Sequence, residues 1–138
     1  MARKSIVIEV PGDVPNELTP NASRHLHWGT KTKIKSQIQT DTVRCAQQVV
    51  GTGRDEPYFA GKVQCYATIG RGKGRKMLDP DNLVASLKFY IDALTIAKVI
   101  ADDKAAVFDM DKPVQVRAAS GVGFVRFQIT EAGHDHAG

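Results

Sequence analysis

The stretch RGKGRKMLDPDN runs four cations, Arg71, Lys73, Arg75 and Lys76, directly into two carboxylates, Asp79 and Asp81. A lysine, Lys88, follows within two helical turns, and a second acidic pair, Asp102 and Asp103, comes later. Carboxylates beside a basic run are what a site needs to hold a metal ion and a polyanion together. Mg²⁺ is a hard cation that takes a few carboxylates, waters and phosphate oxygens. Once bound, such an ion activates water and stabilises charge at phosphorus. Lys and Arg neutralise the phosphates of a nucleic-acid backbone. The same residues also allow a plainer account. Asp81 fits a helix N-cap, Asp79-Pro80 a turn, Asp102-Asp103 a solvated turn, and Lys88 with Asp92 an exposed i, i+4 pair. Spacing alone leaves both accounts open.

The elements that must position these residues are legible. SIVIEV (5–10) is β-branched and reads as a strand. The Pro- and Asn-rich segment after it reads as a loop. From about Thr30 to Val50 the period is helical, with Ile34, Ile38, Cys45 and Val49 on one stripe. GTGRDEP ends that helix, and GKVQCYATIG (61–70) alternates as a second strand with Val63, Cys65, Ala67 and Ile69 on one face. The Gly-rich basic loop follows as a flexible arm. DNLVASLKFYIDALTIAKV reads as one amphipathic helix. Leu83, Leu87, Tyr90, Ile91 and Leu94 share one side of it, and Asp81, Lys88 and Asp92 share the other. VQVRAA and GFVRFQIT alternate around SGVG and read as a hairpin. The order β-α-β-α-β-β predicts an α+β fold, a mixed sheet with two main helices packed on it.

The 138 residues suit a single domain spanning the chain, with a polar tail from about residue 131. Net charge is +4, with +7 on residues 1–78 and −3 on residues 79–138. A basic front half favours an anionic partner such as nucleic acid, while the acidic remainder argues against a simple coat for it. Cys45 and Cys65 have neither metal-ligand nor disulfide spacing and read as free thiols. The apolar run at the start is too short, and too broken by Glu9 and Pro11, for a signal peptide. No stretch has membrane-spanning length. A cytoplasmic protein with no membrane partner is expected. GRGKG lacks the spacing and the Ser/Thr of a P-loop, so no nucleotide cofactor is expected there.

Asp79 to Asp103, DPDNLVASLKFYIDALTIAKVIADD, resembles the RusA family of Holliday junction resolvases, especially members from bacteriophages. The pattern is D-x-D-N-L, a helical lysine, D-x-L and a D-D pair. NASRHLHW (21–28) also resembles a segment near the start of phage-type members. The resemblance implies metal-binding catalytic roles for Asp79, Asp81 and Asp103. It implies phosphate binding or charge stabilisation by Lys88. In some family members the lysine lies about one turn earlier, where Ala85 stands here; both positions share one helix face. The implied activity is cleavage of four-way and other branched DNA by paired nicks. The implied cofactor is Mg²⁺, with Mn²⁺ as a substitute, and the implied assembly is a homodimer. Arg71, Lys73, Arg75, Lys76, Arg24, His27, Lys31 and Lys33 form the expected DNA-binding set. A non-catalytic binder of branched DNA on the same fold is the alternative. Helix length separates Asp103 from Asp79, so the chain must turn back along the helix, or a second chain must supply the carboxylate.

Overall fold

A computed structural model describes residues 4–15, 28–104 and 106–132. The order is β1 (Ser5–Pro11), α1 (Trp28–Val50), β2 (Val63–Arg71), α2 (Pro80–Ser86), α3 (Lys88–Ile96), β3 (Phe108–Met110), β4 (Val114–Arg117) and β5 (Phe124–Glu131). The five strands form one mixed sheet in the order β1-β5-β2, with β3 and β4 sharing the far edge of β2. The fold is α+β, as the element order predicts.

β5 lies antiparallel to both β1 and β2, while β3 and β4 run parallel to β2. A parallel pair needs a crossover, and the helical run from Pro80 to Ile96 provides it between β2 and β3. β3 and β4 behave as one edge strand interrupted at the buried Pro113, which has no N–H to give a ladder. The expected hairpin of VQVRAA with GFVRFQIT does not form. β4 and β5 flank β2 on opposite edges, and the turn between them carries the chain across the end of β2. Alternation around a short turn fits both a hairpin and such a crossing. β5 is an inner strand, paired with β1 on one side and β2 on the other, and its Val125, Phe127 and Ile129 are completely buried.

One sheet face carries the core: Ile8 and Val10, Val63 to Ile69 on alternate residues, and the β5 trio, packed under the helices. Period two drives this, since each strand puts every second side chain on that face. The other face leaves Val7, Tyr66 and Val114 about half exposed. On α1 the buried row is Ile38, Thr42, Ala46 and Val50, an i, i+4 series. Val49, expected on the stripe, is 43% exposed one position round the helix. Gly51 closes α1 at φ 94°, its N–H donating to Gln47 O.

The second helix is two helices. Ser86 is buried and donates its hydroxyl to the Leu83 carbonyl at 2.9 Å. Leu87 N–H, which a regular helix would aim at that carbonyl, donates instead to Val84 O. A side chain competing for an i−3 carbonyl bends a helix in this way. The expected face survives the break, with Leu83, Leu87, Tyr90 and Leu94 buried.

Candidate functional site

The ends of β1, β2 and β5 that carry Pro11, Gly70 and Phe124 meet at one edge of the sheet. The basic loop leaves β2 there and runs into α2. It is pinned along its length. Arg71 Nε donates to Lys76 O at 3.0 Å and its Nη1 donates to Val14 O at 3.0 Å. Arg117 donates to Gly72 O and Arg75 O, both at 2.6 Å. Gln115 brackets Leu78, accepting from its N–H at 2.8 Å and donating to its carbonyl at 3.0 Å. A freely flexible arm is therefore corrected to a stapled loop. Asp13, at the exit of β1, accepts from Gly72 N–H at 2.8 Å. A Cβ on Gly72 would lie 2.7 Å from that carboxylate, so glycine alone permits the approach.

Arg71 is a correction in its own right. It was expected to grip a phosphate, but its side chain is completely buried, 3.9 Å from the Asp13 carboxylate. An arginine at this point satisfies carbonyls that an apolar side chain would orphan. Burial pulls its basicity below the usual arginine range; Asp13 opposes this, while Arg75 and Arg117 add to it. Arg75 is half-buried, 4.0 Å from Asp13, and its Nε has no hydrogen-bond partner. Lys73 and Lys76 are exposed. Lys31 and Lys33 are exposed near the start of α1. Lys35 lies 5.2 Å from the Phe89 ring, which sets that basic end of α1 beside the start of α3. Arg24 and His27, with most of NASRHLHW, lie outside the described residues.

The carboxylates occupy two places. Asp79 is the N-cap residue of α2, in extended backbone, but its side chain makes no cap hydrogen bond. Pro80 opens the helix and Asp81 sits in its first turn, so Asp81 is not the cap. Both are exposed and neither forms an ion pair among the described residues. Lys88 is exposed at the first position of α3. Beyond α3 the chain turns back: Asp103 feels the charge of Asp92, one turn after Lys88. The Asp102 carboxylate accepts from Asp103 N–H at 2.7 Å and lies 3.8 Å from Lys104 Nζ. The two carboxyls share a hydrogen bond. It raises Asp103, helped by partial burial and the charges of Asp102 and Asp92, and lowers Asp102. Between Asp81 and Asp92 a helix rises roughly 16 Å. Among the described residues no three His, Cys, Asp or Glu side chains are grouped to hold a metal ion. One chain thus presents Asp79 and Asp81 together, with Asp103 outside that pair and within range of the charge of Asp92. Two uncapped carboxylates meet the smaller requirement of Mg²⁺, which commonly takes one or two together with waters and substrate phosphates.

Sequence reasoning missed Asp13, Gln115 and Arg117, which set the loop. Their partners lie 37 to 59 positions away, so no local pattern signals them. Asp92 was placed on the right face but without its neighbour, since only the returning chain brings Asp103 to it. Asp109 is exposed on β3, and Asp111 accepts from Gln64 at 2.8 Å. Glu131 belongs to β5, and Ala132 N–H donates to Lys62 O, so these two residues of the expected tail are part of the fold; residues 133–138 lie outside the described residues. Both cysteines are free thiols. No helix among the described residues is long and apolar enough to cross a membrane.

The fold and site together define an α+β domain with a pinned basic loop leading into an acidic helix start. No protein-family profile matches the chain, and no curated protein matches its sequence.

Proposed function

We propose that this protein is a homodimeric, Mg²⁺-dependent endonuclease that cuts branched DNA, four-way junctions above all, by paired nicks in recombination and repair. One observation carries the reading: Asp79 and Asp81 stand exposed and uncapped where a stapled run of cations ends. A pre-set loop loses little conformational entropy when it meets a phosphate backbone. Lys73, Arg75 and Lys76 hold that backbone, with Lys31 and Lys33 as outlying contacts. Arg71 braces the loop from within. Asp79 and Asp81 hold the ion, and Asp103, which its own chain sets apart from that pair, is the third carboxylate, supplied by the second protomer. When bound, Mg²⁺ supplies Lewis-acid charge and a more acidic water. Lys88 steadies the scissile phosphate. A two-fold dimer presents two equivalent sites to a junction of matching symmetry. The setting of this reading is the cytoplasm.

The test is cleavage of a labelled four-way junction with Mg²⁺, with Mn²⁺ and with chelator. Wild type should nick in pairs only with metal. Asp81→Asn should cut on the order of 10²–10³-fold more slowly while binding the junction. The absence of a three-carboxylate group among the described residues favours a second reading, a branched-DNA binder without catalysis. Tight junction binding with no nicks under either metal would establish that one instead.

A further inference from the structure

The turn 72–75 and the loop 117–121 face each other across a cleft of about 470 Å³, lined by Lys73, Gly74, Arg117, Ala118, Ala119, Ser120 and Gly121. Two bonds join its walls, Lys73 N–H to Gly121 O and Ala118 N–H to Arg71 O, both at 2.9 Å, and Gly121 N–H closes the 117–121 turn on Ala118 O at 3.0 Å. Arg117 is exposed, yet its Nη1 is held by two carbonyls. A guanidinium has five N–H donors, so this anchoring fixes its plane and leaves Nε and Nη2 to serve a ligand. Lys73 is exposed and stands on the opposite wall. Neither Lys73 nor Arg117 forms an ion pair among the described residues.

The surroundings intensify this. Arg71 feels the charges of both Arg75 and Arg117, with Asp13 the opposing carboxylate beside Arg71 and Arg75. Asp13 faces two of these guanidiniums, and the third, Arg117, forms no ion pair among the described residues, which leaves positive charge unmatched beside the cleft. An anion seated in the cleft would relieve that repulsion. A planar, pre-oriented guanidinium opposite an ammonium suits a tetrahedral oxyanion.

We propose that this cleft is a phosphate-binding subsite. It takes one backbone phosphodiester of bound DNA between Lys73 and Arg117, with Ser120 at its rim. This rests on the DNA-binding reading above and adds Arg117, from β4, to it. The cleft holds a phosphate apart from the carboxylates, so it contributes to affinity and register and not to the chemical step.

The experiment is fluorescence anisotropy of a labelled four-way junction and a duplex of equal length, titrated across KCl concentrations, using the full chain. Each phosphate neutralised contributes a slope of about 0.9 to log K against log salt. Lys73→Gln and Arg117→Gln should each lower that slope by about 0.9 and weaken binding roughly eightfold at 0.1 M salt. Because both hold one phosphate, the double variant should lose no more slope than either single. Lys73→Arg should keep the wild-type slope. Arg117→Gln also releases two carbonyls and could loosen the loop; Lys73→Gln leaves the backbone bonds in place and decides the matter alone. Wild-type slope and affinity in Lys73→Gln, with the wild type binding and cutting DNA, would overturn the cleft and leave the function standing. Additive slope losses in the double variant would overturn the shared phosphate. No DNA binding by the wild type would overturn the functional reading and this ligand with it.

Discussion

Gln115 shows how much of a site rests on residues that do no chemistry. Its amide is the only side chain described as bonding the backbone of Leu78, the residue before Asp79. Gln115→Met keeps the length and removes both bonds. Losing them should destabilise the fold by about 1–2 kcal/mol in urea denaturation. If the Asp79–Asp81 pair acts in cleavage, the same variant should cut junctions more slowly while binding them as before. Unchanged stability and rate would show that the loop holds its course without this clamp. Arg71 makes the complementary point. Its place in a run of cations suggested solvent and phosphate, because local composition reports charge and not direction. Only the burial of β2's last residue, beside Asp13 and Val14, turns it inward.

Where the pattern is local, elements were legible. The alternation of Val63, Cys65, Ala67 and Ile69, and the buried face of Leu83, Leu87, Tyr90 and Leu94, follow directly from periods of two and 3.6. The break at Leu87 was not legible, since it depends on whether Ser86 bonds to water or to Leu83. Strand pairing was not legible either, because VQVRAA and GFVRFQIT alternate equally well in a hairpin or astride β2. The end of α3 offers a test at this scale. Val99 N–H donates to Leu94 O and Lys98 N–H to Thr95 O, with Lys98 itself at φ 63°. That is the left-handed closing turn glycine favours. Lys98→Gly should therefore raise stability by about 0.5–1 kcal/mol, read from the urea midpoint. A lower midpoint would mean that the lysine side chain contributes more than its backbone costs.

At the scale of the molecule, one sheet face and the helices packed on it share a single core, and Cys65 is completely buried in it. Burial pushes its thiol up to about 12. Cys45 is half-buried on α1, and its thiol is raised mainly by burial. Since the thiolate is the reactive form, a disulfide reagent at pH 8 should modify Cys45 first. In a Cys45→Ser variant, Cys65 should react only as fast as the protein opens. Prompt reaction of Cys65 in the folded protein would show that the core opens locally around β2.

β1 and β5 lie side by side, with Ser5 opposite Thr130 and Pro11 opposite Phe124. The two extremities of the described chain are therefore neighbours, joined by the bond from Glu131 N–H to Lys4 O. They sit at one pole of the sheet, and the basic loop, Asp13 and the cleft sit at the other, a strand's length of roughly 20 Å away. A tether or crosslink placed at Lys4 or Ala132, the outermost described residues, would attach at the pole remote from the loop. The strand pairing of β1 with β5 thus gives an experimenter one handle with two ends, both facing away from the surface to be probed.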